Sequence, residues 1–185
     1  MKAKMMTDSE VVQSCLEGRV ESYRTIMDKY KAHAMGLALH VLLNYQDAED
    51  ACQEAFLKAY SNLRKFDSAK SFKNWFSALL FNHCLDQLRK KKRFDFFINR
   101  YKKEEKARTM TEPSGPGPFD MLDSGFLRRL TPGERTSLYL WAQEGYSGAE
   151  IASALDCAPS TAHVYLFKAR AKLKSWLKEN QHAAS

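Results

Sequence analysis

The residues of this chain whose types and spacing could do chemistry lie between positions 47 and 93, and the chemistry they suit is recognition. One group consists of three acidic residues and a glutamine at helical spacing, followed by a leucine about one turn further on. Its members are Glu49, Asp50, Gln53, Glu54 and Leu57. A run of charges is more often an ordinary solvated helix face, but Phe56 and Leu57 beside it weaken that interpretation. Acidic groups mixed with apolar ones suit a protein partner, because charge sets specificity while apolar area supplies affinity.

A second group is basic and suits phosphate. The stretch ends in the run RKKKR, and at about 100° per residue Asn82, Asp86, Arg89 and Arg93 share one polar stripe of a helix. The positive surface continues down this helix, so phosphates are its expected ligand.

A turn, FDSAKS, lies between the two groups and has Phe66 and Phe72 at its edges. Two interpretations are open at this point. The aromatic residues form either a corner of the hydrophobic core or a pocket in which an unpaired base stacks.

Two helices must position these groups. The first has a buried stripe of small residues at i, i+3, i+4 and i+7, formed by Ala48, Ala51, Cys52, Ala55 and Ala59. The second begins near Ser71, and its first half is too apolar to face water. That half carries Phe72, Trp75, Phe76, Leu79 and Leu80.

The motifs DAED..QEAFLKAY, F-D-S-x-x-S-F-K-N-W-F and N-x-x-L-D-x-L-R, in this order, resemble region 2 of bacterial sigma factors of the extracytoplasmic-function group. The resemblance implies that the acidic helix binds the clamp helices of the RNA polymerase β′ subunit through Glu49, Asp50, Gln53, Glu54 and Leu57. It also implies that the aromatic turn and the basic helix bind the minus-ten promoter element. The residues matched to that role are Phe66, Lys70, Phe72, Lys73, Trp75, Asn82, Arg89, Lys90 and Arg93.

The elements before this stretch complete a four-helix unit over residues 7–93. The capping-box sequence from Thr7 to Glu10 predicts a short helix that Gly18 ends. A longer helix opens near Tyr23, and a break at Asn44 follows its apolar later part.

Residues 94–121 are predicted to be a linker. Their first part, FDFFINRYKKEEKARTM, is basic with interleaved aromatic residues and either extends the preceding helix or becomes ordered only against a partner. The run TEPSGPGPFD, rich in proline and glycine, then separates two modules.

Residues 122–180 are predicted to form a second helical module. Thr131 caps one helix and Ser147 caps a short one, which a tight turn joins to a longer helix that begins near Pro159 and ends near Lys178. This is the helix-turn-helix pattern. The inward stripe of the last helix is predicted to be Ala162, Leu166, Ala169, Leu173, Trp176 and Leu177.

The outer face of the last helix carries apolar residues that a solvated helix does not need. The stretch EGYSGAEIASALDCAPSTAHVYLFKARAKL is similar to sigma region 4, which implies binding to the minus-thirty-five element and packing on the polymerase β flap. The residues matched to DNA binding are Ser160, Thr161, His163, Val164, Phe167, Lys168 and Arg170. His163 and Tyr165 stand where this family commonly has basic residues, so weaker phosphate contact is expected.

Composition limits the alternatives. The formal charge of +7 over 185 residues points to a polyanion, either nucleic acid or an anionic membrane surface. No run has the length of a membrane span and the first residues lack the apolar core of a signal peptide, so no membrane insertion and a cytoplasmic location are expected. The four cysteines and five histidines are scattered, and no catalytic motif occurs. No metal, no cofactor and no enzymatic activity are expected.

The sequence therefore predicts an all-α, two-domain sigma factor joined by a flexible linker, with core RNA polymerase and promoter DNA as partners. An anti-sigma factor is a further candidate partner, because family members are commonly held inactive by one. Two alternatives are a helix-turn-helix regulator that acts without polymerase and a sigma mimic that binds polymerase or an inhibitor without recognising promoters.

Overall fold

A computed structural model describes residues 6–101 and 124–183, and within these ranges every regular element is helical. The all-α fold is thereby confirmed. The α-helices are α1 (Asp8–Leu16), α2 (Tyr23–Leu42), α3 (Tyr45–Ser61), α4 (Phe72–Tyr101), α5 (Ser124–Arg129), α6 (Pro132–Ala142), α7 (Gly148–Ala154) and α8 (Pro159–Ala183). None of these helices is both long and apolar enough to cross a membrane.

The helix starts lie where their capping residues predict. Thr7 caps α1, Thr131 caps α6 and Ser147 caps α7, each in a complete capping box with the glutamate three residues later. At each start the backbone N–H groups of the capping residue and of the third helical residue therefore have hydrogen-bond acceptors. Gly18 follows α1 in the left-handed region, with φ +96°, as its position after the helix predicts.

The first four helices share one core. The alanine stripe of α3 is completely buried, which lets α3 pack closely against α2 and α4. Phe76 of α4 is also fully buried and stacks on Phe56 at a centroid distance of 4.6 Å. This unit presents the outer faces of α3 and α4 to solvent.

The last four helices form the second unit, with α7, a tight turn and α8 as the predicted helix-turn-helix. Helix α5, for which the sequence gives no clear start signal, packs on α8 through Phe126 and Trp176 at a centroid distance of 5.4 Å. One inward assignment on α8 is wrong, because Leu177 is 47% exposed. Its side chain instead lines a surface groove together with Trp141 and Phe167.

The first part of the predicted linker is helical. Helix α4 continues to Tyr101, so the stretch after Arg93 extends the helix, which was one of the two alternatives. Residues 102–123, which include the TEPSGPGPFD run, lie outside the described residues.

The two units also pack directly on each other, α6 against α2 and α7 against α4. Leu140 and Ile151 of the second unit join the same buried cluster as Leu37 and Leu80 of the first. The buried Arg135 donates hydrogen bonds to the carbonyl oxygens of His40 and Val41 near the end of α2. The two predicted modules are therefore in direct contact within the described residues.

Candidate nucleic-acid and protein interfaces

The acidic face of α3 is exposed as the sequence predicts. Glu49, Asp50, Gln53 and Glu54 all face solvent, and Leu57 among them is 69% exposed. An exposed leucine of this extent on a charged helix supplies apolar area to a partner. The neighbouring phenylalanine does not contribute.

The expectation that Phe56 lies with Leu57 on the acidic face is wrong, because Phe56 is only 5% exposed. It lies over α4 against Phe76, and its carbonyl oxygen accepts a 2.8 Å hydrogen bond from the Tyr23 hydroxyl. Of the two apolar residues that the sequence places beside the acidic group, Leu57 is therefore the one that a partner could contact.

The basic stripe of α4 is also exposed. Asn82, Arg89, Lys90 and Arg93 face solvent, and Arg89 is held by a 2.8 Å contact with Asp86 one turn earlier. An exposed i,i+3 pair of this kind contributes little stability, so both side chains are free to reorganise around a phosphate.

The aromatic turn is a corner of the core, the first of its two interpretations. Phe66 is 9% exposed and Phe72 is 2% exposed, and their rings meet edge to face at 5.3 Å. Their predicted role in stacking a base is therefore not available in this arrangement. Trp75 is half-buried beside them, and Lys70 is exposed.

Two residues predicted to bind DNA are instead bonded to the second unit. The Lys73 ammonium donates a 2.8 Å hydrogen bond to Glu144 and lies 4.8 Å above the ring of Tyr146. The Asn82 amide donates a 3.2 Å hydrogen bond to Asp156 in the turn before α8. The face of α4 nearest the aromatic turn is thus occupied by the second unit.

The outer face of α8 agrees with its prediction. Phe167 is 72% exposed and Val164 is 47% exposed. The polar residues predicted there, Ser160, His163, Lys168 and Arg170, are exposed as well, whereas Thr161 is half-buried.

Sequence reasoning missed a groove beside this face, with a volume of about 820 Å³. Trp141 forms one wall, and the Arg170 guanidinium lies 4.8 Å above its ring. Leu166, Phe167 and Leu173 line the rest. Trp141 was the sequence signal for this groove, because it lies outside the buried stripe of α6 and is 42% exposed.

Glu144 is the centre of the polar contact between the units. It accepts hydrogen bonds from Lys73 and from the Tyr139 hydroxyl at 2.9 Å, and it lies 3.2 Å from His33 Nδ1. Burial raises the pKa of the Glu144 carboxyl, but these donors outweigh burial and the net pKa is lowered. Burial likewise lowers the pKa of Lys73, and the Glu144 contacts reverse this to a net increase. The pair is therefore charged.

His33 connects Glu144 to Ser77, whose Oγ lies 2.7 Å from both His33 Nε2 and the Lys73 carbonyl oxygen. The order serine, histidine, carboxylate is that of a hydrolytic relay. Ser77 is completely buried, however, and no substrate could reach its hydroxyl. The arrangement therefore serves to hold the units together.

We expect the contact between the units to weaken in acid. Burial lowers the pKa of His33, which faces Glu144, Lys73 and Tyr146, and that of His40 below their ordinary value of 6.5. When the units separate, both imidazoles regain water and bind protons more readily. The contact is then complete above about pH 6.5 and is lost progressively below it.

Small-angle scattering of the full chain at about pH 8 and about pH 5.5 checks this expectation, with a larger radius of gyration at the lower pH. His40→Gln should reduce the change. His83→Gln is the matched control, because the contacts of His83 lie within the first unit, to Lys58, Glu54 and Gln87. Equal radii at both pH values would contradict the assignment.

Comparison with known proteins gives two family-model matches, sigma-70 region 2 over residues 26–94 and sigma-70 region 4 over residues 126–173. The Bacillus subtilis ECF RNA polymerase sigma factor SigW is 33% identical over 88 residues, which cover 48% of this chain and 46% of that protein. The Haemophilus influenzae ECF RNA polymerase sigma-E factor is 23% identical over 184 residues, covering 94% of this chain and 96% of that protein.

A solved structure of the sigma factor RpoE with the anti-sigma factor NepR, from Bartonella quintana, has the same fold. The TM-score is 0.67 at 22% identity, over 85% of this chain and 98% of that chain.

Two helical units in this order, the first with the region 2 motif and the second with the region 4 helix-turn-helix, define an RNA polymerase sigma factor. The chain belongs to the sigma-70 family. Within that family its relatives assign it to the extracytoplasmic-function group.

Proposed function

We propose that this sigma factor binds core RNA polymerase through the acidic face of α3 and the second unit, and directs it to promoters with two separate elements. In this proposal residues 7–93 bind the β′ clamp helices and the minus-ten element, and residues 122–180 bind the β flap and the minus-thirty-five element. Residues 94–121 connect them. The protein acts in the cytoplasm and has no enzymatic activity, since bond formation belongs to the polymerase.

One observation carries the proposal. The most exposed large apolar side chain of α3, Leu57, lies among four acidic or amide side chains, while the adjacent α4 carries an exposed basic stripe. A protein partner on the first helix and a nucleic acid on the second satisfy both surfaces at once.

The proposal explains why two small DNA-binding units act through polymerase. Each unit alone offers few contacts to DNA, and ordering them on a duplex costs conformational entropy. Polymerase fixes their separation, so that the second contact forms at a high effective concentration. On α4, Arg89, Lys90 and Arg93 face solvent for phosphate contact. On α8, Val164 and Phe167 suit thymine methyl groups, whereas Lys168 and Arg170 suit bases or phosphates.

The Bartonella quintana sigma factor RpoE, which has the same fold, was solved in complex with the anti-sigma factor NepR. We propose that an anti-sigma factor is a partner here too, acting on the polymerase-binding faces. Copurification of such a protein with the full chain, and its displacement by core polymerase, would support this.

Replacing Gln53 and Glu54 by alanine should weaken binding to core RNA polymerase about 10- to 100-fold, as expected when charged contacts at a protein interface are lost. The fold should be kept, because both side chains are exposed. Adding Leu57→Ala to this variant should lower the affinity for core RNA polymerase further. Fluorescence anisotropy with core polymerase measures the affinity, and Glu21→Ala, an exposed acidic residue before α2, is the control. Unchanged affinity of the double variant would remove the assignment of this face.

A further inference from the structure

We propose that His83 of α4 is a positioning residue for the acidic face of α3, where it fixes the side chains of Glu54 and Lys58, and that its protonation weakens binding to core RNA polymerase. This inference rests on the proposed polymerase-binding function of that face. Its structural part, the state of the imidazole, is testable without polymerase.

The first support is a buried imidazole beside the acidic face. His83 is only 9% exposed and lies where α4 packs on α3. The Lys58 ammonium lies 2.6 Å from its Nδ1, and a carboxylate oxygen of Glu54 lies 3.3 Å from its Nε2. One side chain of α4 therefore contacts two charged side chains of α3, and one of these belongs to the acidic face.

These contacts define which ring nitrogen carries the proton. The Lys58 ammonium can only donate, so Nδ1 of His83 must accept, and the imidazole is neutral with its proton on Nε2. That N–H group faces the Glu54 carboxylate. The amide nitrogen of Gln87 lies 3.2 Å from the same Nε2, and half a turn of this amide presents its oxygen as a second acceptor. His83 is therefore an acceptor for one charged group and a donor to the other.

Fixing Glu54 and Lys58 favours binding because both side chains are long and flexible. They are 57% and 49% exposed and lie 3.9 Å apart, and an exposed pair of this kind contributes little by itself. The buried imidazole holds each of them in one orientation before a partner arrives. Less conformational entropy is then lost on binding.

Protonation of His83 would disrupt this arrangement. A proton on Nδ1 would face the Lys58 ammonium across 2.6 Å and expel it. The new positive charge would also lie beside Glu54 and offset its negative charge. An acidic face with less negative charge binds a complementary partner less tightly. The affinity for polymerase should therefore fall in acid.

The charged groups around His83 set the pH at which this occurs. They come from both helices and are Glu54 and Lys58 on α3 and Asp86 and Lys90 on α4. Burial lowers the pKa of His83, the two lysines lower it further, and the two carboxylates offset them only in part. The net pKa is below the ordinary value of 6.5, so the imidazole is neutral at neutral pH. Affinity is then complete above about pH 6.5 and is lost progressively below it.

Fluorescence anisotropy with core RNA polymerase at about pH 7.5 and about pH 5.5 tests the positioning role. The wild type should lose about three- to tenfold more affinity over this range than His83→Gln. A glutamine amide can accept from Lys58 and donate to Glu54, but it does not take up a proton. Because His33 and His40 are present in both proteins, their effect on the pH dependence cancels.

His83→Leu separates positioning from packing. It should bind more weakly than the wild type at about pH 7.5, where His83→Gln should bind like the wild type, because leucine keeps the apolar volume and loses both polar contacts. Circular dichroism establishes that each variant is folded.

A second arm examines the imidazole in the free protein. Long-range nitrogen–proton NMR spectra distinguish the two neutral tautomers, and the His83 signal is the one that His83→Gln lacks. The proton should be on Nε2 near neutral pH. Lys58→Met should raise the pKa of His83, because it removes the nearest cation. Lys31→Met, which removes an exposed cation of α2, is the control and should leave this pKa unchanged.

A proton on Nδ1 near neutral pH would overturn the contact with Lys58. Equal pH profiles of the wild type and His83→Gln would overturn the positioning role and leave the proposed function standing. Failure of the wild type to bind core polymerase at either pH would overturn both.

Discussion

Replacing Arg89 and Arg93 by alanine should reduce promoter binding by the polymerase–sigma complex about 10- to 100-fold. Both side chains are exposed on α4, and neither supports the core. Each lost phosphate contact should also lower the salt dependence of binding, by about 0.7 to 0.9 in the slope of log affinity against log salt concentration. The combined change in slope is about 1.4 to 1.8.

The matched control is Arg24→Ala with Lys31→Ala, which removes two exposed positive charges from α2. That variant has the same net charge as the first, so a general electrostatic effect would appear in both. Filter binding of a promoter fragment over a range of salt concentrations measures affinity and slope together. Equal losses in the two variants would show that α4 has no specific phosphate contacts.

Replacing Phe76 by alanine should destabilise the protein by about 3–5 kcal/mol, a large part of the total stability of a small domain. Its ring is completely buried and meets Phe56 at 4.6 Å, Phe72 at 6.2 Å and Tyr30 at 6.5 Å. The cavity would lie beneath both proposed binding helices, α3 and α4. Thermal melting should therefore show a lower midpoint, and polymerase binding should be lost with the fold.

Phe167→Ala provides the contrast for that experiment, because this ring is 72% exposed. Its melting curve should be that of the wild type, whereas promoter binding should weaken. A large loss of stability in Phe167→Ala, or none in Phe76→Ala, would contradict the assignment of these two residues to surface and core.

The parts of the fold with local signals could be predicted from the sequence. Capping boxes fixed the starts of α1, α6 and α7, because the two side-chain hydrogen bonds form among residues close in the chain. The alanine stripe of α3 follows the helical period, and its burial was correctly expected. The exposure of Leu57 and Phe167 followed from the same periodicity.

The parts of the fold that depend on residues distant in the chain could not be predicted from the sequence. Phe56 lies at the edge of the α3 stripe, and only the position of Phe76 on another helix decides that it is buried. The contact of Gly36 with Tyr139 joins residues about 100 positions apart, with no repeating pattern to reveal it. Phe66 and Phe72 had two interpretations for the same reason, because stacking on a base and packing in a core use the same side chains.

In vitro transcription with core RNA polymerase tests the central claim most directly, using a pool of genomic fragments from the organism that encodes the chain, with and without this protein. The account predicts new start sites that share two sequence motifs at a fixed spacing. Tight binding to core polymerase without any new start site would contradict it and favour a sigma mimic. Binding to duplex DNA without binding to polymerase would favour a regulator that acts alone.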